Sequence, residues 1–351
     1  MLNRRKFIHH TLTLSASAVV GGASGFTFDN PYLSFDFHAH PGSFFGKGMP
    51  GYPGDEGFTK TIGDMNTGGL TGAFFSLVAD AALLQRTPTG IIPTRAYSSG
   101  EGWKEYQRQM SDLKTMMTSA QARLATRTKQ MSINQKEKIV SAFISVEGGD
   151  FLQGDLSILE KMYADGVRSM QLVHYAPSEV GDLQTENPMH KGLSAFGKQV
   201  VKKMNDLGML IDVAHASEET VKAVTDITKK PIMLSHSILK MEEDRPLAKR
   251  AITKDHAKMV ASTGGVIGAW PSGFNKNFEE FVDNILRLVD VIGINHIGLG
   301  TDMDGNFKPV MDSYTQIPKL IAALQSKGLN EESVRKIMGG NAKRLLEEVV
   351  K

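Results

Sequence analysis

The chain has 351 residues, of which 41% are hydrophobic and 22% are charged, so it is long enough to bury a large core. Its formal net charge of +2 gives no support to nucleic-acid binding. The absence of cysteine excludes disulfide bonds and an acylated cysteine, and it is compatible with an oxidising compartment.

The first 25 residues have the composition of an export signal. Residues 3–8 read Asn-Arg-Arg-Lys-Phe-Ile and precede a mildly apolar stretch over 11–22, which contains Ala-Ser-Ala at 16–18. This pattern resembles a twin-arginine signal, and the stretch is too short for a transmembrane helix, which needs roughly 20 apolar residues. We therefore expect a periplasmic or secreted protein with no stable membrane anchor after removal of residues 1–25. The alternative is a basic, disordered start.

Eight β-type segments alternate with stretches of helical periodicity along the rest of the chain. The segments cover 33–39, 70–78, 139–147, 167–174, 209–215, 231–236, 264–270 and 296–302. Helices are expected over 101–137, 195–207 (ended by Gly208), 217–227 (capped by Ser217) and 278–292, and long loops over 41–62 and 80–100. This alternation predicts an α/β fold, a single (β/α)8 TIM barrel over 26–351.

Most of the predicted strands end on a residue type that binds metal ions. The terminal residues are His38 and His40, Glu147, His174, His215, His236 and Asp302. In a barrel of parallel strands the carboxyl ends lie at one mouth, so side chains far apart in sequence would meet there. The sequence therefore predicts a metal site at the C-terminal mouth of the strands.

Two of these residues, His38 and His40, are two positions apart on one strand. Their side chains should point to the same face, and two imidazoles on one face suit Zn²⁺. Glu147 ends a buried strand, where an unpaired carboxylate is costly, and its two oxygens can each contact one metal ion. The alternatives are core histidines bonded to local carbonyl groups and a glutamate in a salt bridge at the rim.

His215 and His236 end strands about one β/α unit apart, so neighbouring strands would place them side by side. Each alone would more often be structural, but two at corresponding strand ends favour a metal site. Ser235 and Ser237 flank His236 and can orient its ring.

Three aspartates lie close to these strand ends. Asp302 follows the last strand directly, where its carboxylate can move a proton to or from a metal-activated water. Asp304 is interpreted as organising a turn with Gly305, because Asp-Gly is a turn signal. Asp212, three residues before His215, faces the opposite way and is interpreted as structural.

Several of these motifs resemble the renal (membrane) dipeptidase family of amidohydrolase-type barrels. The matching stretches are Val-Glu-Gly-Gly at 146–149, Gly-Leu-Ser-Ala-Phe-Gly at 192–197, Leu-Ile-Asp-Val-Ala-His at 210–215, Leu-Ser-His-Ser at 234–237, residues 298–305 and Gly-Gly-Asn at 339–341, followed by Arg344. The similarity extends from about residue 33 to the C-terminus. It implies zinc-dependent hydrolysis of dipeptides by a metal-activated bridging hydroxide.

The resemblance also implies a role for each site residue. It implies two Zn²⁺ ions, one held by His38 and His40, the other by His215 and His236, with Glu147 bridging them. Asp302 matches the proton-transfer residue, and His174 matches the residue that contacts the substrate and the tetrahedral intermediate. Arg250 matches the residue that binds the substrate, with Arg245 as a rival. The family often dimerises, so a homodimer is compatible with the resemblance.

One departure from the family pattern concerns the first motif, which is usually His-x-Asp. Here it is His38-Ala39-His40, so an imidazole replaces a carboxylate and the site carries one negative charge less. This change keeps a second hypothesis open, another amidohydrolase-type hydrolase that acts on a lactone, an amide or a phosphoester. A third hypothesis is a non-catalytic binding protein, against which the complete set of metal-type residues argues.

Overall fold

The computed structural model describes residues 32–87, 90–241 and 244–351, so the predicted export signal lies outside the described residues. The strands are β1 (Phe35–Ala39), β2 (Gly72–Val78), β3 (Leu84–Thr87), β4 (Gly90–Pro93), β5 (Ala122–Leu124), β6 (Val140–Glu147), β7 (Val167–Gln171), β8 (Leu210–Asp212), β9 (Met233–Ser237), β10 (Val266–Ala269) and β11 (Ile297–Leu299). Eight of them pair in parallel, in the order β1, β2, β6, β7, β8, β9, β10, β11, and β11 pairs with β1. The sheet is closed, which confirms the predicted (β/α)8 TIM barrel.

Helices follow the barrel strands as the sequence predicts. They are α1 (Glu56–Thr67), α2 (Glu101–Ser119), α3 (Thr128–Lys136), α4 (Ser157–Ala164), α5 (Ala195–Leu207), α6 (Glu218–Thr225), α7 (Lys254–Ser262), α8 (Phe278–Ile292), α9 (Ile317–Ser326), α10 (Glu331–Arg335) and α11 (Asn341–Val349). Gly208 ends α5 in the left-handed conformation, with φ of 77°, and the Ser217 hydroxyl caps α6 by accepting a hydrogen bond from Thr220 N. Within the described residues, no helix combines the length and the apolar character that crossing a membrane requires.

The prediction of one helical stretch over 101–137 is wrong. The chain breaks after α2, forms the short strand β5 beside β6, and only then begins α3. Backbone pairing of Ala122–Leu124 with the start of β6 outweighs the helical propensity of the segment, because propensity is a weak preference that tertiary contacts override.

The two predicted loops contain regular structure as well. Residues 41–62 include a helical turn at Pro41–Gly46 and the first half of α1, and residues 80–100 include the antiparallel hairpin of β3 and β4. Gly42, in the first of these segments, has φ of 60° and packs so closely on α1 that a Cβ atom there would lie 2.2 Å from Phe58 N. A glycine is therefore required where the loop after β1 meets α1.

The core has a distinct cluster at the amino-terminal ends of the strands. It contains the first residues of β1, β8, β9 and β10, together with apolar side chains of α11. Phe35 lies edge-to-face against Phe74 and Phe143, with ring centroids 5.5 and 5.6 Å apart. Since this end is filled by apolar packing, the polar residues of the barrel gather at the opposite mouth.

Candidate metal centre

The carboxyl ends of the strands bring the predicted site residues together around one carboxylate, that of Glu147. Its Oε1 lies 3.3 Å from His38 Nε2, 3.5 Å from His215 Nε2 and 4.0 Å from His236 Nε2. Its Oε2 lies 3.3 Å from His40 Nε2. All five side chains are buried.

The imidazoles form two pairs. The Nε2 atoms of His38 and His40 are 3.1 Å apart, and those of His215 and His236 are also 3.1 Å apart. Three sets of ligand atoms each lie within 4.8 Å of one another: His38, His40 and Asp302; His38, Glu147 and His236; and Glu147, His174 and His215. Asp302 and His174 therefore also lie within the reach of a metal site.

The outward bonds of the rings decide which nitrogen faces the cluster. His40 Nδ1 lies 2.9 Å from the carbonyl oxygen of Ser76, and because a carbonyl only accepts, Nδ1 carries a proton and Nε2 is the nitrogen that faces the cluster. His236 Nδ1 lies 3.0 Å from the hydroxyl of Ser235, the flanking serine expected to orient it. Ser237 instead donates to the carbonyl of Arg250, so it does not orient the ring.

The electrostatics of the second pair favour metal binding. Burial, with the nearby charge of Arg250, lowers the pKa of His215 well below its ordinary value. Burial likewise lowers the pKa of His236 well below that value. Both imidazoles are therefore neutral at pH 7, which is the form that binds a cation.

The first pair lies in a more acidic environment. Burial opposes protonation of His40, but its hydrogen bonds to Asp302 and Glu147 outweigh burial and raise its pKa to about 10. A cation bound by His40 would displace this proton. Burial raises the pKa of Glu147, but the charges of His174 and His38, with hydrogen bonds from His38 and His40, outweigh burial and hold this pKa well below its usual range. Inward-facing imidazole nitrogens around one carboxylate are a donor set that fits divalent cations such as Zn²⁺.

Buried aspartates tie the strand ends to one another. Asp36 accepts hydrogen bonds from the backbone N–H groups of His38 (3.1 Å) and Thr301 (2.9 Å) and from the hydroxyl of Tyr314 (2.6 Å). Asp212 accepts hydrogen bonds from Ala214 N and Ser235 N, at 3.0 and 2.9 Å, as expected of a structural residue. These carboxylates fix the backbone on which the candidate ligands are mounted.

A third buried aspartate, Asp80, was not identified from the sequence. It follows β2, and its Oδ1 lies 2.6 Å from His174 Nδ1, while its Oδ2 accepts hydrogen bonds from Tyr175 N (3.0 Å) and Ala176 N (2.8 Å). His174 Nε2 faces Glu147 Oε1 at 3.4 Å. Asp80 thus orients the His174 ring toward the centre. The only sequence signal was an aspartate directly after a buried strand.

The two aspartates after β11 have different surroundings. Asp302 Oδ1 lies 3.4 Å from His40 Nε2, at the rim of the cluster. Asp304 Oδ2 instead accepts hydrogen bonds from Gly42 N (2.7 Å) and the Thr61 hydroxyl (2.6 Å), so it reaches across to the loop after β1 and to α1. Asp302 and His215 have φ of 54° and 64°, a left-handed conformation that is strained for non-glycine residues and is found at functional sites.

Of the two arginines considered from the sequence, only Arg250 reaches the cluster. Its guanidinium is buried, with NH1 2.6 Å from Gln184 Oε1 and NH2 3.3 Å from His236 Nε2. Arg245 forms a salt bridge of 2.7 Å with Glu280 on α8 and does not join the other site residues. Of the two, Arg250 is therefore the arginine that lies beside the metal-type residues.

Tyr175 is a further side chain of the mouth that sequence reasoning missed. Its ring packs edge-on against His215, with centroids 4.9 Å apart, and beside His174 at 4.5 Å. Burial raises the pKa of its hydroxyl, which the charge of Arg250 partly offsets. A single tyrosine after His174 carried no signal that distinguished it from ordinary packing.

A closed barrel with a buried cluster of imidazoles and carboxylates at its carboxyl mouth defines a metallohydrolase-type scaffold. The family model of the membrane dipeptidases (peptidase family M19) matches residues 58–351, and the chain belongs to this family. This confirms the predicted resemblance. The matched stretch begins after His38 and His40, so it does not include the motif in which this chain departs from the family pattern.

Similar proteins include two curated dipeptidases. Dipeptidase verJ of Clonostachys rogersoniana is 30% identical over 218 residues, which cover 60% of this chain and 55% of that protein. Dipeptidase 3 of Mus musculus is 30% identical over 251 residues, which cover 68% of this chain and 50% of that protein. The chain thus spans about half the length of these relatives.

Solved structures share the fold over nearly the whole chain. A metallopeptidase from Rhodobacter sphaeroides, bound to a phosphinate mimic of the dipeptide L-Ala-D-Ala, superposes with a TM-score of 0.74 at 21% identity, over 91% of this chain and 100% of that one. The probable dipeptidase PvdM of Pseudomonas aeruginosa gives the same TM-score and identity, over 91% and 96%. At this identity the likeness shows the fold alone.

Proposed function

We propose that the protein is a metal-dependent dipeptidase that uses two Zn²⁺ ions to hydrolyse dipeptides. The observation that carries the proposal is the position of Glu147, a buried carboxylate with five histidine Nε2 atoms between 3.3 and 4.0 Å from its oxygens. Membership of the membrane dipeptidase family supports small peptides as the substrates.

In this proposal Glu147 bridges two cations. His38 and His40 would hold one ion and His215 and His236 the other, with the Glu147 carboxylate shared between them. The bound ions would polarise the scissile carbonyl and make water nucleophilic at neutral pH. The pairing of the rings, with 3.1 Å between Nε2 atoms in each pair, supports this division.

Two further side chains would transfer the proton and stabilise the negative charge that develops on the substrate oxygen. Asp302 accepts the proton of the attacking water and delivers it to the leaving amine, which is general acid–base catalysis by one carboxylate. His174 directs Nε2 toward the reacting carbonyl, where it stabilises the negative charge that develops on oxygen. Its ring is held for this purpose by the 2.6 Å hydrogen bond to Asp80.

Arg250 would bind the carboxylate end of the dipeptide. A guanidinium matches a carboxylate in a planar, two-bond arrangement. Gln184 occupies NH1, whereas the buried Nε of Arg250 has no hydrogen-bond partner among the described residues. The guanidinium therefore keeps donors for a substrate beside His236.

The proposal is tested by elemental analysis of the purified protein together with a dipeptide hydrolysis screen that includes dipeptides with a D-residue in the second position. We expect two zinc equivalents per chain and turnover of at least one dipeptide that chelators abolish and zinc restores. A protein that binds no metal, or that loads two ions and hydrolyses no dipeptide, would refute it.

A second candidate function is supported by His40, because its imidazole replaces the carboxylate of the family pattern and lowers the negative charge at the first metal position. Another hydrolytic reaction, on a lactone, an amide or a phosphoester, would use the same centre. Relative kcat/KM values for these substrates and for dipeptides decide between the two.

We also propose that residues 1–25 export the protein through the twin-arginine route to the periplasm or the exterior. The pattern at residues 3–8 supports this. A reporter fused to residues 1–30 should lose export when Arg4 and Arg5 are both replaced by lysine, and unchanged export would refute the twin-arginine interpretation. The homodimer compatible with the resemblance is tested by sedimentation of the purified protein.

A further inference from the structure

A cavity lies among the segments that follow β2, β6 and β7, at the carboxyl ends of these strands. It has a volume of about 570 Å³, within the range of small-molecule sites. The segment that includes the β3–β4 hairpin forms one wall, through Leu83, Pro93 and Tyr97, and the loop after β7 forms another, through Ala176 and Pro177. We call this cavity the hairpin cleft.

The walls of the hairpin cleft are tied together by hydrogen bonds. The Tyr97 hydroxyl donates to the carbonyl of Ala79 at 2.8 Å. Gln153, which also lines the cleft, donates to the carbonyl of Ser98 at 2.8 Å and accepts from Gly102 N at 3.0 Å. The cleft is therefore preformed between segments that are distant in sequence.

Two carboxyl groups, those of Asp150 and Glu179, line the hairpin cleft. The one cation among its described lining residues, Arg95, is paired with Glu101 through two hydrogen bonds of 2.7 and 2.9 Å. Apolar walls with acidic groups suit a ligand that combines a methylene chain with a positive charge, since lysine and arginine side chains bury their stems and present a charged end.

Asp150 is the lining residue that would pair with the charged end of such a ligand. Its Oδ2 is buried and has no hydrogen-bond partner among the described residues, which is costly for a carboxylate. Burial and the nearby charge of Asp80 raise its pKa well above the usual range. Oδ2 lies toward Gly148, where a Cβ atom would be 2.9 Å from it, so an ammonium or guanidinium group bound in the cleft would pair with the other oxygen of this carboxyl group.

The position of the hairpin cleft suits the amino-terminal end of a dipeptide substrate. Arg250, the proposed partner of the substrate carboxylate, follows β9, which is opposite β2 in the strand order of the barrel, and its guanidinium lies beside His236. The cleft adjoins His174 instead, because Ala176 and His174 are both hydrogen-bonded to Asp80. A dipeptide with its carboxylate at Arg250 and its amide at Glu147 would direct its amino-terminal residue toward the cleft.

We propose that the hairpin cleft receives the side chain of the amino-terminal residue of the substrate and selects lysine or arginine there. The basic group would pair with Asp150, with Glu179 nearby, and its methylene stem would pack against Tyr97 and Pro93. This inference rests on the proposed dipeptidase function and specifies its substrate class.

The test compares dipeptides of similar length and different charge on the zinc-loaded enzyme. Lys-Ala and Arg-Ala should have kcat/KM values about tenfold or more above that of Met-Ala, the effect of one hydrogen bond to a charged group. Ala-Lys and Ala-Met, which place the charge at the other end, should differ little. Equal values for Lys-Ala and Met-Ala would overturn the proposal.

Two variants test whether the preference for a basic amino-terminal residue depends on the hairpin cleft. Asp150→Asn should reduce the ratio of Lys-Ala to Met-Ala toward one. Asp155→Asn is the matched control, because Asp155 follows β6 in the same loop, is exposed and does not line the cleft, so this variant should keep the wild-type ratio. A preference that survives Asp150→Asn, or that Asp155→Asn removes equally, would contradict the assignment.

A binding experiment separates failure of the cleft from failure of the proposed function. Calorimetric titration with L-lysinamide and L-norleucinamide measures the preference without catalysis. Tighter binding of lysinamide, lost in Asp150→Asn, supports the cleft even if no dipeptide is hydrolysed and the dipeptidase proposal is wrong. Hydrolysis of dipeptides with equal affinity for the two amides would reject the cleft and leave the dipeptidase proposal intact.

Discussion

Replacement of Asp80 by asparagine tests how His174 is held in the centre. Asp80 Oδ2 accepts two backbone hydrogen bonds, from Tyr175 N and Ala176 N, and Oδ1 accepts the third, from His174 Nδ1. An amide has one oxygen for these three donors. The lower-energy orientation keeps the oxygen on the two backbone N–H groups and turns the NH₂ group toward His174, which must then present a lone pair at Nδ1 and carry its proton on Nε2.

The expected losses of stability and of kcat in Asp80→Asn follow from this rearrangement. All three bonds are kept, but each becomes a bond to a neutral group. The free energy of unfolding should therefore fall by about 1–3 kcal/mol, from the difference between charge-assisted and neutral hydrogen bonds. The activity should fall further, by about 10–100-fold in kcat, because a neutral His174 ring lacks the positive charge that Asp80 and Glu147 favour and that would stabilise the developing oxyanion.

Three measurements on Asp80→Asn test the reasoning: chemical denaturation, kcat and KM on the best dipeptide, and zinc content. We expect a small loss of stability, a loss concentrated in kcat, and two zinc equivalents, since the five proposed ligands are unchanged. Asp212→Asn is the matched control, because Asp212 also accepts backbone N–H groups but has no hydrogen bond to an imidazole among the described residues. It should lower kcat by less. Loss of zinc from Asp80→Asn would instead identify His174 as a ligand and refute the positioning role.

Three further predictions concern the centre and its surroundings. Glu147→Gln should lower the zinc content, and two full equivalents in that variant would rule out the bridge. Asp302→Asn should keep its zinc and lose about 10²–10⁴-fold in kcat, the usual contribution of a general acid–base group, so wild-type turnover would remove its proposed role. His256 is buried, and burial with the charge of Arg250 lowers its pKa to about 4. Below pH 6.5 His256 binds a proton in the unfolded chain but stays neutral in the folded chain. The free energy of unfolding should therefore fall by up to ~3 kcal/mol between pH 6.5 and 4. His256→Gln should flatten that part of the pH dependence in denaturation curves, and an unchanged slope would contradict it.

The barrel and the residues at its mouth were predictable from the sequence, because both depend on local patterns. Short apolar runs alternate with amphipathic stretches, and each run that contributes to the centre closes on a histidine or a carboxylate, as β6 does at Glu147. In a parallel barrel all strands end at the same mouth, so the pattern is enough to expect His38, His215 and Asp302 together.

Other features were decided by contacts between segments that are distant in the chain. The strand β5 forms within an apparently helical stretch because the edge of β6 offers it backbone partners. Asp80 becomes the partner of His174, 94 residues away, only because the turn after β2 lies against the loop after β7. Arg250 is favoured over Arg245 because Glu280 on α8 pairs with the latter. Periodicity reports which face of an element is buried, but the partner of a buried polar group is chosen by tertiary packing, and that is why the orienting residues of the centre and the hairpin cleft emerged only from the folded chain.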